Sequence, residues 1–269
     1  MPGAGGLGAR VIGFLVVAFL IVPILVVIPV SFTDTTYLSL PKDGLSLQHY
    51  ANFIEDPKWR DSFLLSMATA LASTVIAVPL GTLFAVSCWR LAGRTSELLR
   101  FVILLPIIVP GVVNAIGIYR QWAELGLVDT VLGVILVQVV VSTPYVVIVV
   151  SSALADFDPR LLQAAANLGA RHWQALLWVI VPAIRVGIGA AAVLAFVTAW
   201  DETVVMLFIT GLRVYLLPRA LWDGVQENVD PTVAVTASLM IALTLLGVTV
   251  SMMAEARRKA RDTKHKEPK

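Results

Sequence analysis

Five stretches of this chain stay apolar for about 20 residues or more: 11–33, 62–89, 101–119, 130–155 and 231–254. A run of that length crosses the ~30 Å hydrocarbon core of a bilayer as a helix. In lipid every backbone amide must bond inside its own element, which leaves helices or closed barrels as the only options. A sixth run, 186–209, is interrupted only by Asp201 and Glu202. The expected fold is therefore all-α, a polytopic membrane protein of six transmembrane helices. Charged residues make up only 14% of the chain, against roughly 25% in soluble domains.

Six crossings put both termini on one side, and the basic residues choose the side. With the termini inside, the inner segments hold fourteen of the 20 Lys and Arg. Arg10, Arg90, Arg94, Arg100, Arg160, Arg171 and Arg185 belong to this set, with seven more after Glu255. The positive-inside rule then places both termini in the cytoplasm. The count is seven against six once the tail is removed, so the orientation leans on that tail. Three parts follow: 1–60, a first transmembrane helix and an outer segment; 61–254, a five-helix core; and 255–269, a basic cytoplasmic tail able to touch anionic lipid. The run 11–33 has no small-x-small cleavage site after it and reads as an uncleaved helix.

Proline breaks the spans. The third is the most disturbed, with Pro106, Pro110, Gly111 and Asn114 near its middle. Discontinuous helices at membrane depth mark transport paths, and a simple kink packed on a neighbour gives the same pattern. Ala68 with Ala72, and Ala77 with Gly81, recur four apart in the second span, a spacing that lets helices approach closely. In the outer segment, Tyr50, Phe53 and Trp59 fit an interfacial helix held in the aromatic belt. Cys88, the sole cysteine, excludes an internal disulfide and reads as a small packing residue.

Asp201 and Glu202 are the strongest chemical signal inside the apolar runs. An acidic side chain at bilayer centre costs about 2.5–3.5 kcal/mol on insertion scales. One or both are expected to face a water-filled path or gate; a structural pair, or a carboxylate reaching outer water, is the alternative. His49, His172 and His265 lie in separate segments with no metal-ligand spacing. No GxxxxGK[ST] loop and no GxSxG elbow occur.

Between the fourth and fifth spans lies a polar, Ala-rich insert, 156–185. "DFDPRLL" carries a helix start, with Asp158 as N-cap and Pro159 at the first helical position. Leu161, Ala164, Ala165 and Leu168 then share one stripe, and Gly169 suits a left-handed cap. A second stripe follows at Trp173, Leu176, Leu177 and Ile180, until Pro182. The segment reads as helix, glycine turn, helix on the cytoplasmic side: a docking lever or an amphipathic loop on the membrane surface.

This insert resembles the EAA signature of ABC importer permeases, E-A-A-x-x-x-G, nine residues, then I-x-L-P. Here stand Gln163-Ala164-Ala165, three residues, Gly169, nine residues, Val179, one residue, Val181 and Pro182. The departures are Gln163 for the acid, and Val179 and Val181 for Ile and Leu. The resemblance covers roughly residues 60–254 and implies the type I ABC importer permease fold, with a cytoplasmic coupling helix between helices 4 and 5. It implies ATPase-coupling residues at Arg160, Gln163, Ala164, Ala165, Leu168, Gly169 and Arg171. It also implies an ATP-binding-cassette subunit dimer, a second permease subunit (a sister chain or a second copy) and a periplasmic solute-binding protein as partners, in a bacterial inner membrane. ATP and Mg belong to the partner ATPase, and this chain is expected to bind no cofactor, metal or nucleic acid.

"FVTAWDETVVMLFITG" and "YLLPRALWDGVQENVDPTVAV" are further similar to the second permease of spermidine/putrescine importers. That likeness implies a translocation path or gate at Asp201 and Glu202, with Trp200 as a cation–π surface and Asn114 on the broken third span. Permeases for ferric iron, thiamine or sulfate share the architecture. An ion-coupled secondary transporter using the acidic pair is a further reading, and a membrane enzyme or scaffold a weaker one.

Overall fold

The computed structural model describes residues 5–91, 93–228, 230–246 and 249. The described residues form helices and the loops between them, with no strand. In chain order the helices are α1 (Gly5–Ser31), α2 (Gln48–Glu55), α3 (Pro57–Leu91), α4 (Arg94–Ile108), α5 (Gly111–Leu125) and α6 (Val131–Ala155). After these come α7 (Arg160–Asn167), α8 (His172–Ala175), a π-helical turn (Leu176–Ile180), α9 (Val181–Ala183) and α10 (Arg185–Asp201). The last are α11 (Val204–Ile209), α12 (Leu217–Asp223), a π turn (Gly224–Asn228) and α13 (Thr232–Leu246). The basic tail 255–269 lies outside the described residues.

Three helices are long and apolar enough to cross a membrane unaided: Arg10–Ser31, Pro57–Leu91 and Val131–Ala155. The third expected span is bent instead, α4 and α5 meeting at 102°. A 78° bend separates His172–Ala183 from Arg185–Asp201. The run 186–209 is likewise not one helix, since α10 stops at Asp201 and α11 restarts at Val204. Counting each bent pair as one crossing gives up to five, and α13 adds a shorter apolar helix. The remainder of the expected span 231–254 lies largely outside the described residues.

The chain forms two compact units, one built on Met1–Asp61 and Ala220–Leu246, the other on Ser62–Arg219. In the first, α1 leaves Phe14 and Phe19 exposed, as lipid-facing side chains would be. Its aromatics are held by contacts within the unit. Trp59 is 1% exposed and donates its Nε1 to Asp230 Oδ2 at 3.3 Å. Phe53 is buried, and the Tyr50 hydroxyl bonds Ser31 Oγ at 2.8 Å. These rings pack inside the unit. Asp56 accepts from the Lys58 amide at 2.8 Å, and Pro57 opens α3, an N-terminal pattern that leaves no donor wasted.

The second unit packs α10 on α6. Gly187, Ala191, Ala195 and Ala199 recur every four residues along α10, and the three alanines are fully buried. A Cβ at Gly187 would collide with the Ala153 Cβ. Lipid tails are as apolar as these side chains, so close van der Waals fit is what holds such helices together. The α3–α6 contact works the same way: a Cβ at Gly81 would lie 2.7 Å from the Val146 Cβ. Ala77 is buried on that face, whereas Ala68 is exposed and does not belong to it. Cys88 is buried, and its carbonyl accepts from Ser96 Oγ at 2.6 Å.

Candidate functional site

The insert after α6 is anchored at one point. Phe157 is buried and meets Trp89 of α3 edge-on, centroids 5.7 Å apart. Leu162 joins the same cluster, beside Leu154, Ile180 and Ile184. The rest of α7 stands clear, with no buried residue. Asp158 Oδ1 accepts from the Arg160 amide at 2.9 Å and fixes the helix start. At the other end Gly169 has φ +83°, its amide reaching the Ala166 carbonyl at 2.9 Å and the Ala170 amide the Ala165 carbonyl at 3.0 Å. That pair of bonds is a Schellman motif. The Arg171 amide then donates to Gln174 Oε1 at 2.7 Å, which restarts the helix.

Of the residues expected here, Arg160, Gln163, Ala164, Leu168, Gly169 and Arg171 are exposed and Ala165 is half-buried. The stripe Leu161–Ala164–Leu168 points away from the chain's own core, and Leu162, outside the expected stripe, makes the anchor. Beside it lies a groove of about 370 Å³ lined by Ala165, Leu168, Gly169, Ala170, Gln174, Trp178 and Val179. Trp173 and Trp178 meet edge-on at 6.0 Å along this surface. The second stripe is split: Ile180 is buried, while Trp173 and Leu177 are exposed. The π turn, which ends just before Val181 and Pro182, rotates the register between them.

The two interrupted helices come together elsewhere in this unit. Pro110 has no amide to give the Pro106 carbonyl, and Asn114 Nδ2 supplies the missing bond at 2.9 Å, with a second to the Val109 carbonyl at 3.3 Å. α5 begins next to that break, and α11 packs along it: a Cβ on Gly111 would touch Val204 at 3.6 Å. Val204 itself starts α11 immediately after the break in the other helix. Glu202 is extended, and its Oε1 accepts from the Val205 amide at 2.9 Å, capping α11. Asp201 is exposed, and its carboxylate has no partner among the described residues. Trp200 is 6% exposed, stacked on Phe196 at 5.8 Å and edge-on to Phe63 at 5.3 Å. The structure thus separates the neighbouring acids: one is spent on a helix end, the other is free. The free one sits at the carboxyl end of α10, where the helix dipole adds partial negative charge. Such a place attracts cations.

Two further residues that sequence reasoning did not single out hold this region. Gln138 of α6 is 2% exposed and donates Nε2 to the Ala199 carbonyl at 3.1 Å. Asp129 adopts φ 55°, and its carboxylate accepts from the amides of Gly211 (2.7 Å), Arg213 (3.0 Å) and Val214 (3.0 Å). Its own amide donates to the Ile209 carbonyl at 2.8 Å, so the α5–α6 turn clasps the chain leaving α11. Partial burial alone would raise the Asp129 carboxyl, but the amides of Arg213, Val214, Gly211 and Leu212 outweigh it and hold the group below the usual carboxylate range. Among the described residues no group of three or more His, Cys, Asp or Glu is placed to hold a metal.

Residues 77–260 match the sequence profile of a family described as the binding-protein-dependent transport system inner membrane component. The chain belongs to this family. The spermidine/putrescine transport system permease protein PotC of Escherichia coli (strain K12) is 28% identical over 228 residues, 85% of this chain and 86% of that protein. The molybdenum transport system permease protein ModB of Mycobacterium tuberculosis (strain ATCC 25618 / H37Rv) is 34% identical over 214 residues, 72% of this chain and 80% of that one. Among solved structures, a bacterial ABC transporter involved in import of the acidic polysaccharide alginate superposes with a TM-score of 0.70. It is 13% identical, covering 94% of this chain and 95% of that chain, and shows the shared fold. A second structure, the alginate transporter in complex with a pentasaccharide-bound periplasmic protein, gives a TM-score of 0.67 at 14% identity over 92% of each chain. The chain is thus an inner-membrane permease subunit of an ABC importer, all-helical as its apolar runs require.

Proposed function

We propose that this permease passes a polyamine cation, putrescine or spermidine, from a periplasmic binding protein to the cytoplasm of a bacterium. The observation that carries the reading is the Asp201 carboxylate, exposed at the negative end of α10 and without a partner among the described residues. A flexible diammonium finds an exposed carboxylate and the negative helix end there; Trp200, packed on Phe196 and Phe63, is buried and does not offer the open cation–π surface that the sequence resemblance implied. The likeness to PotC supports the same cargo class. In this reading both termini are cytoplasmic, and α7 with its groove docks on an ATP-binding-cassette dimer that holds ATP and Mg. The path is completed by a second permease subunit, a sister chain or a second copy. Glu202 acts by capping α11, and Asn114 by closing the break before α5.

A second reading has a specific support, the 34% identity to ModB. Molybdenum travels in water as an oxyanion, which Asp201 would repel. Uptake by a strain lacking the chromosomal copy, complemented with this chain, separates the two. Polyamine cargo predicts uptake of radiolabelled putrescine or spermidine, and a half-saturation raised about tenfold by Asp201→Asn, equivalent to ~1.4 kcal/mol. Molybdate uptake that Asp201→Asn leaves equal or improves would overturn the polyamine assignment.

A further inference from the structure

Among the described residues, Gln138 is the one side-chain amide whose buried oxygen has no protein donor. Its Nε2 donates to the Ala199 carbonyl at 3.1 Å and lies 3.5 Å from Thr69 Oγ1, yet its Oε1 has no donor among the described residues. The orientation is fixed by the network, since turning the amide over would set oxygen against the Ala199 carbonyl. Ala199 lies in the last turn of α10, where carbonyls lack intrahelical partners. Thr203 Oγ1 covers the Asp201 carbonyl at 3.2 Å; Gln138 covers that of Ala199 from a different helix. A single α6 side chain therefore ties the end of α10 to α6 and, more weakly, to α3. Trp200 and Asp201 follow Ala199 directly, so their position depends on this tie.

A buried acceptor left unmade is costly, and native proteins rarely leave one without a reason. Thr69 Oγ1 and Ser142 Oγ are already committed as donors, to the Ser66 and Gln138 carbonyls. In a protein whose helices occupy two arrangements, an acceptor idle in one is free to be used in the other. We infer that Gln138 is a positioning residue of the transport cycle: its Nε2 holds the broken end of α10, with Asp201, in the present arrangement. Its idle Oε1 takes up a donor when α10 shifts. The inference needs the importer family but not the polyamine assignment, and its test involves no cargo.

The test uses the assembled transporter in membrane vesicles, with Asp201→Cys as reporter. The native Cys88 is buried and contributes little background. Labelling by a membrane-impermeant maleimide is followed at rest and after trapping with ATP and vanadate. With Gln138 present, the two labelling rates should differ about fivefold or more; in Gln138→Leu they should converge to within about twofold, because α10's end is no longer held. An unchanged two-state difference in Gln138→Leu, or equal rates in both states with Gln138 intact, overturns the inference. Should Gln138→Leu not reach the membrane, Gln138→Glu carries the same comparison. A carboxyl donates to the Ala199 carbonyl only while protonated, so the two-state difference should persist at low pH and vanish as pH rises. A difference independent of pH would refute the role.

Discussion

Gly169 offers the sharpest perturbation, because its two possible reasons for being glycine reverse the order of alanine and asparagine. A Cβ built there meets nothing within 4 Å, so the chain itself has room for a side chain. What the position demands is φ +83°, which lets the Gly169 and Ala170 amides close the Schellman bonds at 2.9 and 3.0 Å. An ordinary L-residue in the left-handed region costs about 1–2 kcal/mol. That is a factor of about 5–30 in the population of the intact turn. Asparagine enters this region more easily than alanine, and valine is the worst, being β-branched. The expected order of ATP-driven uptake per molecule in the membrane is Gly, then Asn, then Ala, then Val. Alanine should be lowered about 5–30-fold if the turn must be intact. Uptake and ATP hydrolysis would be measured together in proteoliposomes holding the complete transporter, and the impaired variants should hydrolyse ATP without matching uptake. Alanine transporting like glycine while asparagine fails would refute the argument, since that is an order of size and not of backbone angle.

The Asp129 clasp should matter for stability: Asp129→Ala loses bonds from three amides and should lower unfolding stability by about 2 kcal/mol, read from thermal unfolding in detergent. The folded-state pKa of Asp129 is depressed, so its contribution is complete above the ordinary carboxylate value of about 4 and is lost as pH falls below it. The wild-type melting temperature should therefore drop in acid more than that of Asp129→Asn. Asn114→Leu leaves the Pro106 carbonyl without its donor and should cost about 1–3 kcal/mol by the same measurement, with Asn114→Ser recovering part of the loss. Glu202→Gln keeps an acceptor for the Val205 amide and should transport nearly as the parent does, while Glu202→Leu loses the cap and should fall several-fold in uptake at equal membrane level.

What could be read from sequence divides by distance along the chain. The α7 turn was legible because its determinants are local: Asp158 and Pro159 start it and Gly169 ends it, all within a dozen residues. The break at Pro110 was legible for the same reason, proline being unable to donate. The break after Asp201 carries no such local mark, because apolar residues continue to Ile209 and periodicity carries across a gap of two residues. Asn114 stands out as polar in an apolar run, but its task is set by a carbonyl eight residues earlier across a 102° bend. Gln138 carries no pattern at all; its partner is 61 residues away. Asp129 pairs with amides 82–85 residues downstream, a relation no local rule contains. Small residues four apart marked a packed face correctly at Ala77 and Gly81 but not at Ala68, since spacing defines a stripe without saying which way it turns.

We propose that α7 is where an ATP-hydrolysing partner grips this permease. Leu168 stands 88% exposed beside the groove and reports on it directly. With Leu168→Cys in the assembled transporter, a short bifunctional crosslinker should join this chain to the ATP-binding subunit, and the yield should change on trapping with ATP and vanadate. A cysteine at 168 that never crosslinks to that subunit, or that is labelled by impermeant reagents from outside intact cells, would contradict the account.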